Sequence, residues 1–123
     1  MKNLIRIVSI LLILLPTKLF AQATSTSKIV VDQPAPTLVI AQGYTYRYYE
    51  GTTGTILTGT TCTGTTSPFP CTFTFPAFTP GSHTITVTAS DTSVTPNLES
   101  PKSAPLTFTF VVVPQTPLNP RIQ

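Results

Sequence analysis

The chain reads as an all-β protein, a single antiparallel β-sandwich of about seven strands. Three observations predict this. Thr84-Ile-Thr-Val-Thr-Ala89 alternates without a fault, with Ile85, Val87 and Ala89 on one face and Thr84, Thr86 and Thr88 on the other. Thr72-Phe-Thr-Phe75 and Leu106-Thr-Phe-Thr-Phe110 repeat the pattern, so several half-buried strands are available to cover one another. Finally, 13 prolines punctuate the chain and almost no helix-period pattern interrupts it.

The N-terminus stands apart from this pattern. Lys2 and Arg6 make a basic start, Ile7 to Leu15 is apolar apart from Ser9, Pro16 breaks the run, and Ala21-Gln-Ala23 is a small-x-small cleavage site. That is the grammar of a secretory signal peptide over residues 1–23. A membrane anchor would need about 20 apolar residues, and Arg6, Pro16 and Lys18 confine the run to roughly half of that. Cleavage near Ala23 predicts a protein that is secreted, periplasmic or at the cell surface. It meets a membrane only through the transient signal.

The precursor's formal charge of +3 comes from seven basic and four acidic residues. Lys2, Arg6 and Lys18 leave with the signal. Lys28, Arg47, Lys102 and Arg121 then balance Asp32, Glu50, Asp91 and Glu99. A neutral surface carries no electrostatic footprint for nucleic acid. Roughly a quarter of the remaining residues are Thr, which suits strands and keeps an outer sheet face wet. About 100 residues make one domain, assigned to residues 24–114, and residues 115–123 read as a Pro-rich tail or linker.

Along the domain, Lys28-Ile-Val-Val-Asp32 is a first strand, stopped by Pro34 and Pro36. Those prolines mark an edge or a crossover between sheets, because neither can donate to a ladder. Thr37-Leu-Val-Ile-Ala41 is expected as the second strand, with Leu38 and Ile40 inward. Tyr44-Thr-Tyr-Arg-Tyr-Tyr-Glu50 is the third, with Tyr44, Tyr46 and Tyr48 on one face, read as core in preference to a ligand-binding aromatic strip, and Thr45, Arg47 and Tyr49 opposite. A turn at residues 50–54 leads to a short strand, Thr55-Ile-Leu-Thr58. Residues 59–70 are loop-rich. Thr72 to Phe75 follows, with Phe73 and Phe75 inward, and then the Pro80-Gly81 turn feeds the strand through Ala89. Residues 91–104 form a long connection. The last strand runs from Leu106 to Val113, with Leu106, Phe108, Phe110 and Val112 inward. Turn signals at this spacing fit a sandwich.

Several of these stretches carry a resemblance. Gly43-Tyr-Thr-Tyr-Arg-Tyr-Tyr-Glu50 resembles the tyrosine-rich third strand of fibronectin type III domains. Phe78-Thr-Pro-Gly81, followed by a strand ending in Ala89, resembles their apolar-x-Pro-Gly corner and sixth strand. Gly81-Ser-His-Thr-Ile-Thr-Val-Thr-Ala-Ser-Asp91 is closer still to bacterial secreted Ig-like modules, and Val113-Pro-Gln-Thr-Pro-Leu-Asn-Pro-Arg-Ile122 resembles the start of another such module. The resemblance spans nearly all of residues 28–114. It departs from the family in two places: His83 sits where a corner tyrosine is usual, and no Trp is present. It implies an Ig-like, fibronectin type III-like sandwich and no particular activity, since folds of this kind host many functions.

Cys62 and Cys71 are the strongest local signal. In an oxidising compartment an isolated pair forms a disulfide. Too close in sequence for an inter-sheet bridge, the pair also lacks the C-x-x-C spacing and nearby His of a redox or metal site. His83, the sole histidine, has no second His or carboxylate cluster to act with. It reads as a corner residue bonded to nearby backbone rather than a base or metal ligand. Asp91 with Thr92 and Ser93 hints at calcium but lacks further carboxylates. No nucleophile elbow, phosphate loop or nucleic-acid motif occurs. The sequence therefore predicts no enzyme activity, no metal and no cofactor.

What remains is surface. Arg47 and Tyr49 on the outer strand face, with Ser67 and Phe69 in the disulfide-framed loop, are the candidate binding surface. The expected function is an exported binding or spacer module that displays loops 51–54, 59–70 and 91–104 to a protein or carbohydrate at the cell surface. An adhesin or pilus-type subunit assembling by strand addition is one alternative. A small disulfide-loop enzyme inhibitor acting through residues 63–70 is another.

Overall fold

The structure, a computed structural model, describes residues 20–123. The segment read as a signal peptide lies outside the described residues as far as residue 19. Its last alanines form the first strand, β1 (Ala21–Ala23). The order continues with β2 (Lys28–Gln33), α1 (Leu38–Gly43), β3 (Thr45–Glu50), β4 (Thr53–Ile56), β5 (Thr61–Cys62), β6 (Phe69–Thr74), β7 (Gly81–Asp91), β8 (Leu98–Glu99) and β9 (Leu106–Phe110). They form an all-β sandwich. One sheet has the order β1-β9-β7-β3-β4, with β8 also on β7, and the other has the order β2-β6-β5. All pairs are antiparallel except β1 with β9.

β7 is the central strand, as its alternation requires. Residues 86–90 pair with β3 and residues 81–85 with β9. Ile85, Val87 and Ala89 turn into the core, against Phe73 and Phe75 from the facing sheet and Phe108 and Phe110 from β9. Tyr46 and Phe73 rings meet at 4.8 Å, and Phe75 meets Phe108 edge-on at 5.2 Å. Such pairs add to the burial of large side chains. Cys62 and Cys71 stand directly opposite each other on β5 and β6 and are disulfide-bonded, so the bridge lies within one sheet.

Three expectations are corrected. The second strand over residues 37–41 is instead α1. Thr37 caps it, accepting from the Ile40 amide at 3.3 Å, and Ala41 N–H donates to the Thr37 carbonyl. The apolar run suggested a strand, but the chain must cross here from one sheet to the other, and a capped turn satisfies its backbone on the way. Ala41 is the residue buried, while Ile40 is 40% exposed. The short strand over residues 55–58 is shifted. A two-residue connection after Glu50 starts β4 at Thr53, and Leu57 follows it into the core. Leu106 and Val112 are exposed rather than inward. β9 ends at Phe110 because that residue already faces Gly81, the first residue of β7.

The edge of β7 beyond β9 is built unusually. Ile85 faces Leu106 and Ser90 faces Glu99, so the four residues of β7 between these pairs (86–89) are matched by six of the returning chain (100–105). The slack falls between β8 and β9, where Pro101 and Pro105 cannot donate. Serines fill the gap. Val87 N–H donates to Ser103 Oγ and Ala89 N–H to Ser100 Oγ, both at 3.0 Å, while the Ser103 and Ser100 amides donate to the Val87 and Ala89 carbonyls.

Candidate functional site

The register fixes which connections share an end of the sandwich. Gln33 faces Phe69, and Thr45 faces Ser90. Segments 34–44, 63–68 and 92–97 therefore emerge together. Of the three loops expected to carry function, the structure brings two to this end and adds the α1 crossover. The hairpin loop at residues 51–52 lies at the other end.

Local bonds brace the cluster. Ala35 N–H donates to Ser67 Oγ at 3.3 Å, and the Gln42 side-chain amide donates to the Cys62 carbonyl at 3.0 Å. Asp91 Oδ1 accepts from both the hydroxyl (2.6 Å) and the amide (2.9 Å) of Ser93. The hydroxyl bond, then the amide bond, hold the Asp91 carboxyl below its usual range, so it is an anion at neutral pH. Tyr44 stands beside it. Tyr44 and Asp91 together line two clefts, one of about 290 Å³ with Gln33, Leu98 and Glu99 and one of about 270 Å³ with Ile40, Gly43 and Ser93. An aromatic ring, two carboxylates, an amide and two exposed aliphatic side chains can stack, hydrogen-bond and attract a basic group.

The predicted surface residues fall in different places. Ser67 is at the loop end. Phe69 is corrected: at 3% exposure it is a core side chain, because it opens β6 on the inner face opposite Gln33. Arg47 and Tyr49 share the outer face of β3, yet Tyr49 is already engaged. Its ring lies over Gly54, where an added Cβ would come within 2.6 Å of the ring. Lys102 Nζ sits 4.5 Å from the ring centroid. The Tyr49 hydroxyl donates to Glu99 Oε1 at 2.6 Å, and Thr88 donates to the same oxygen. Those two bonds, Thr88 first, hold the Glu99 carboxyl below its usual range. In turn the Glu99 bond raises the Tyr49 phenol. Tyr49 thus latches the β8 segment onto the sheet.

At the opposite end, His83 is the corner residue its position suggested. Its Nε2 meets the Thr79 carbonyl at 2.8 Å and its Nδ1 meets Glu50 at 2.7 Å. Among the described residues, no three His, Cys, Asp or Glu side chains converge in a way that could hold a metal, and no helix is long and apolar enough to cross a membrane. Tyr44 and Ile40 were missed as site residues, the first because it continues the core-facing tyrosine period. Asp91 carried a usable signal, since Asp two residues before Ser is the pattern of a side-chain-closed turn.

Compared with family models, with curated proteins and with solved structures, the chain matches none.

Proposed function

We propose that this is an exported, non-enzymatic binding module with an Ig-like, fibronectin type III-like sandwich, using the end formed by segments 34–44, 63–68 and 92–97. One observation carries the reading: segments 34–44 and 92–97 meet at Tyr44 and an anionic Asp91, which together line two clefts, and segment 63–68 is tied to the first of them by the bond from Ala35 N–H to Ser67. Loops held by a rigid scaffold are where recognition residues concentrate. The partner is a protein or carbohydrate at the cell surface. Capture of a partner from the native surroundings should be lost with Tyr44→Ala or Asp91→Asn and retained when the 51–52 hairpin loop is replaced. The opposite pattern would overturn the reading.

A specific observation also favours strand addition as a second reading. β1 occupies the alanines of the expected cleavage site. Cleavage after Ala23 would remove β1 and bare the outer edge of β9, beside an apolar cleft lined by Phe75, Leu106 and Phe108. The intact mass of the exported protein decides this. An N-terminus at or before Ala21 leaves β1 in place and rules the second reading out.

A further inference from the structure

β2 ends the three-stranded sheet, and among the described residues nothing pairs with its outer edge. The direction of its backbone groups follows from β6. The Pro70 carbonyl accepts from Thr63 N–H, and Thr74 N–H donates to the Thr58 carbonyl, so Pro70, Thr72 and Thr74 face away from β2. The alternate residues Phe69, Cys71 and Phe73 therefore bond to Gln33, Val31 and Ile29. It follows that Lys28, Val30 and Asp32 turn their N–H and C=O groups to the open edge. Their side chains share the solvent face. Val30 is 57% exposed, while Ile29 on the other face is buried. Four residues apart in a strand, Lys28 and Asp32 are about 13 Å from each other. Among the described residues neither has an ion-pair partner.

We propose that β2 pairs antiparallel with β2 of a second copy of this chain, about a two-fold axis at Val30. In that register Lys28 faces the partner subunit's Asp32, Asp32 faces the partner subunit's Lys28, and the two Val30 side chains cover each other. All three pairs are formed by residues whose backbone groups point outward. A one-residue slip pairs outward groups with inward ones. A two-residue slip discards both charge pairs and, in one direction, sets Pro34 against the ladder. Edge charges ordinarily keep strands apart when they repel a copy. Here opposite signs occupy positions related by the dyad, so the same charges attract, as a self-complementary interface demands. The product is one continuous sheet through both molecules, with the two loop ends facing opposite ways. It does not depend on what those ends bind.

Sedimentation velocity of the full chain, purified as the expressing cell processes it, tests the pairing. A concentration-dependent dimer is expected. Lys28→Asp and Asp32→Lys should each weaken it by roughly tenfold or more, since each turns two cross-strand attractions into repulsions. An equimolar mixture of the two variants should dimerise again, because one chain then offers two carboxylates and the other two ammonium groups. Should either reversal disturb the circular dichroism spectrum, Val30→Pro serves instead. It removes an N–H the fold does not use and should abolish the dimer. A wild-type chain still monomeric at ~1 mM, a mixture as monomeric as its components, or a dimer that survives Val30→Pro overturns the proposal.

Discussion

Two side chains show how much a single residue decides in this thin core. Both ring nitrogens of His83 face acceptors, the Thr79 carbonyl and the Glu50 carboxylate, so the geometry suits the imidazolium. Phe78 lies 4.8 Å away, adding a ring face to the cation. The Thr79 bond first, and then Glu50, raise the His83 pKa above 6.5, against the opposing effect of burial. A pKa raised by folding stabilises the fold below the unfolded value, and the gain is lost as pH climbs through the folded value. The melting temperature should therefore fall as the pH rises past the ordinary histidine range in the wild type, and that step should vanish in His83→Gln. Tyr46 makes a different contribution. Almost fully buried, it donates to the Ala41 carbonyl at 2.7 Å, and burial pushes its pKa up to about 12. Tyr46→Phe leaves that carbonyl without its donor and should cost about 1–3 kcal/mol in denaturant unfolding. The sequence announced Tyr46 as core through its period-2 spacing. It could not announce the hydroxyl's partner, because Ala41 reaches that place only through a helix that residue pattern alone read as a strand.

At the scale of elements, the strands that alternate strictly were legible and the connections were not. β6, β7 and β9 follow from their alternating apolar and hydroxyl residues. α1 does not, because Leu-Val-Ile suits either state and the choice rests on Thr37 and the crossing between sheets. The candidate site suffers for the same reason: its residues come from three connections that are neighbours only through strand register. Two local devices deserve separate tests. Replacing Cys62 and Cys71 together by Ser opens a short loop and should lower stability by about 2.5–3 kcal/mol in the chain-entropy account. The pair lies in the sheet rather than across it, so the strand pattern should survive. At the slack between β8 and β9, Ser100→Ala with Ser103→Ala strips two ladder acceptors from Ala89 and Val87. Hydrogen exchange should then accelerate selectively at those two amides, because the prolines leave the segment little means of replacing the lost bonds.

For the molecule as a whole, the class of fold was readable because it depends on many residues agreeing, each weakly, on the same two faces. Edges were less readable, since a strand's neighbours are set by chain path rather than by its own residues. β1 is the clearest case, three residues whose pairing with β9 nothing in Ala-Gln-Ala foretells. That pairing is parallel, and its hydrogen bonds lie between the first and last strands of the fold. In a chain processed upstream of Ala21, which keeps β1, tension entering before β1 and leaving after β9 would pull these neighbours in opposite directions along their length. The bonds joining them would then share the load and fail together in shear, instead of parting one after another as a hairpin peels. A module held this way has its mechanical threshold set by the β1–β9 bonds, where the force enters.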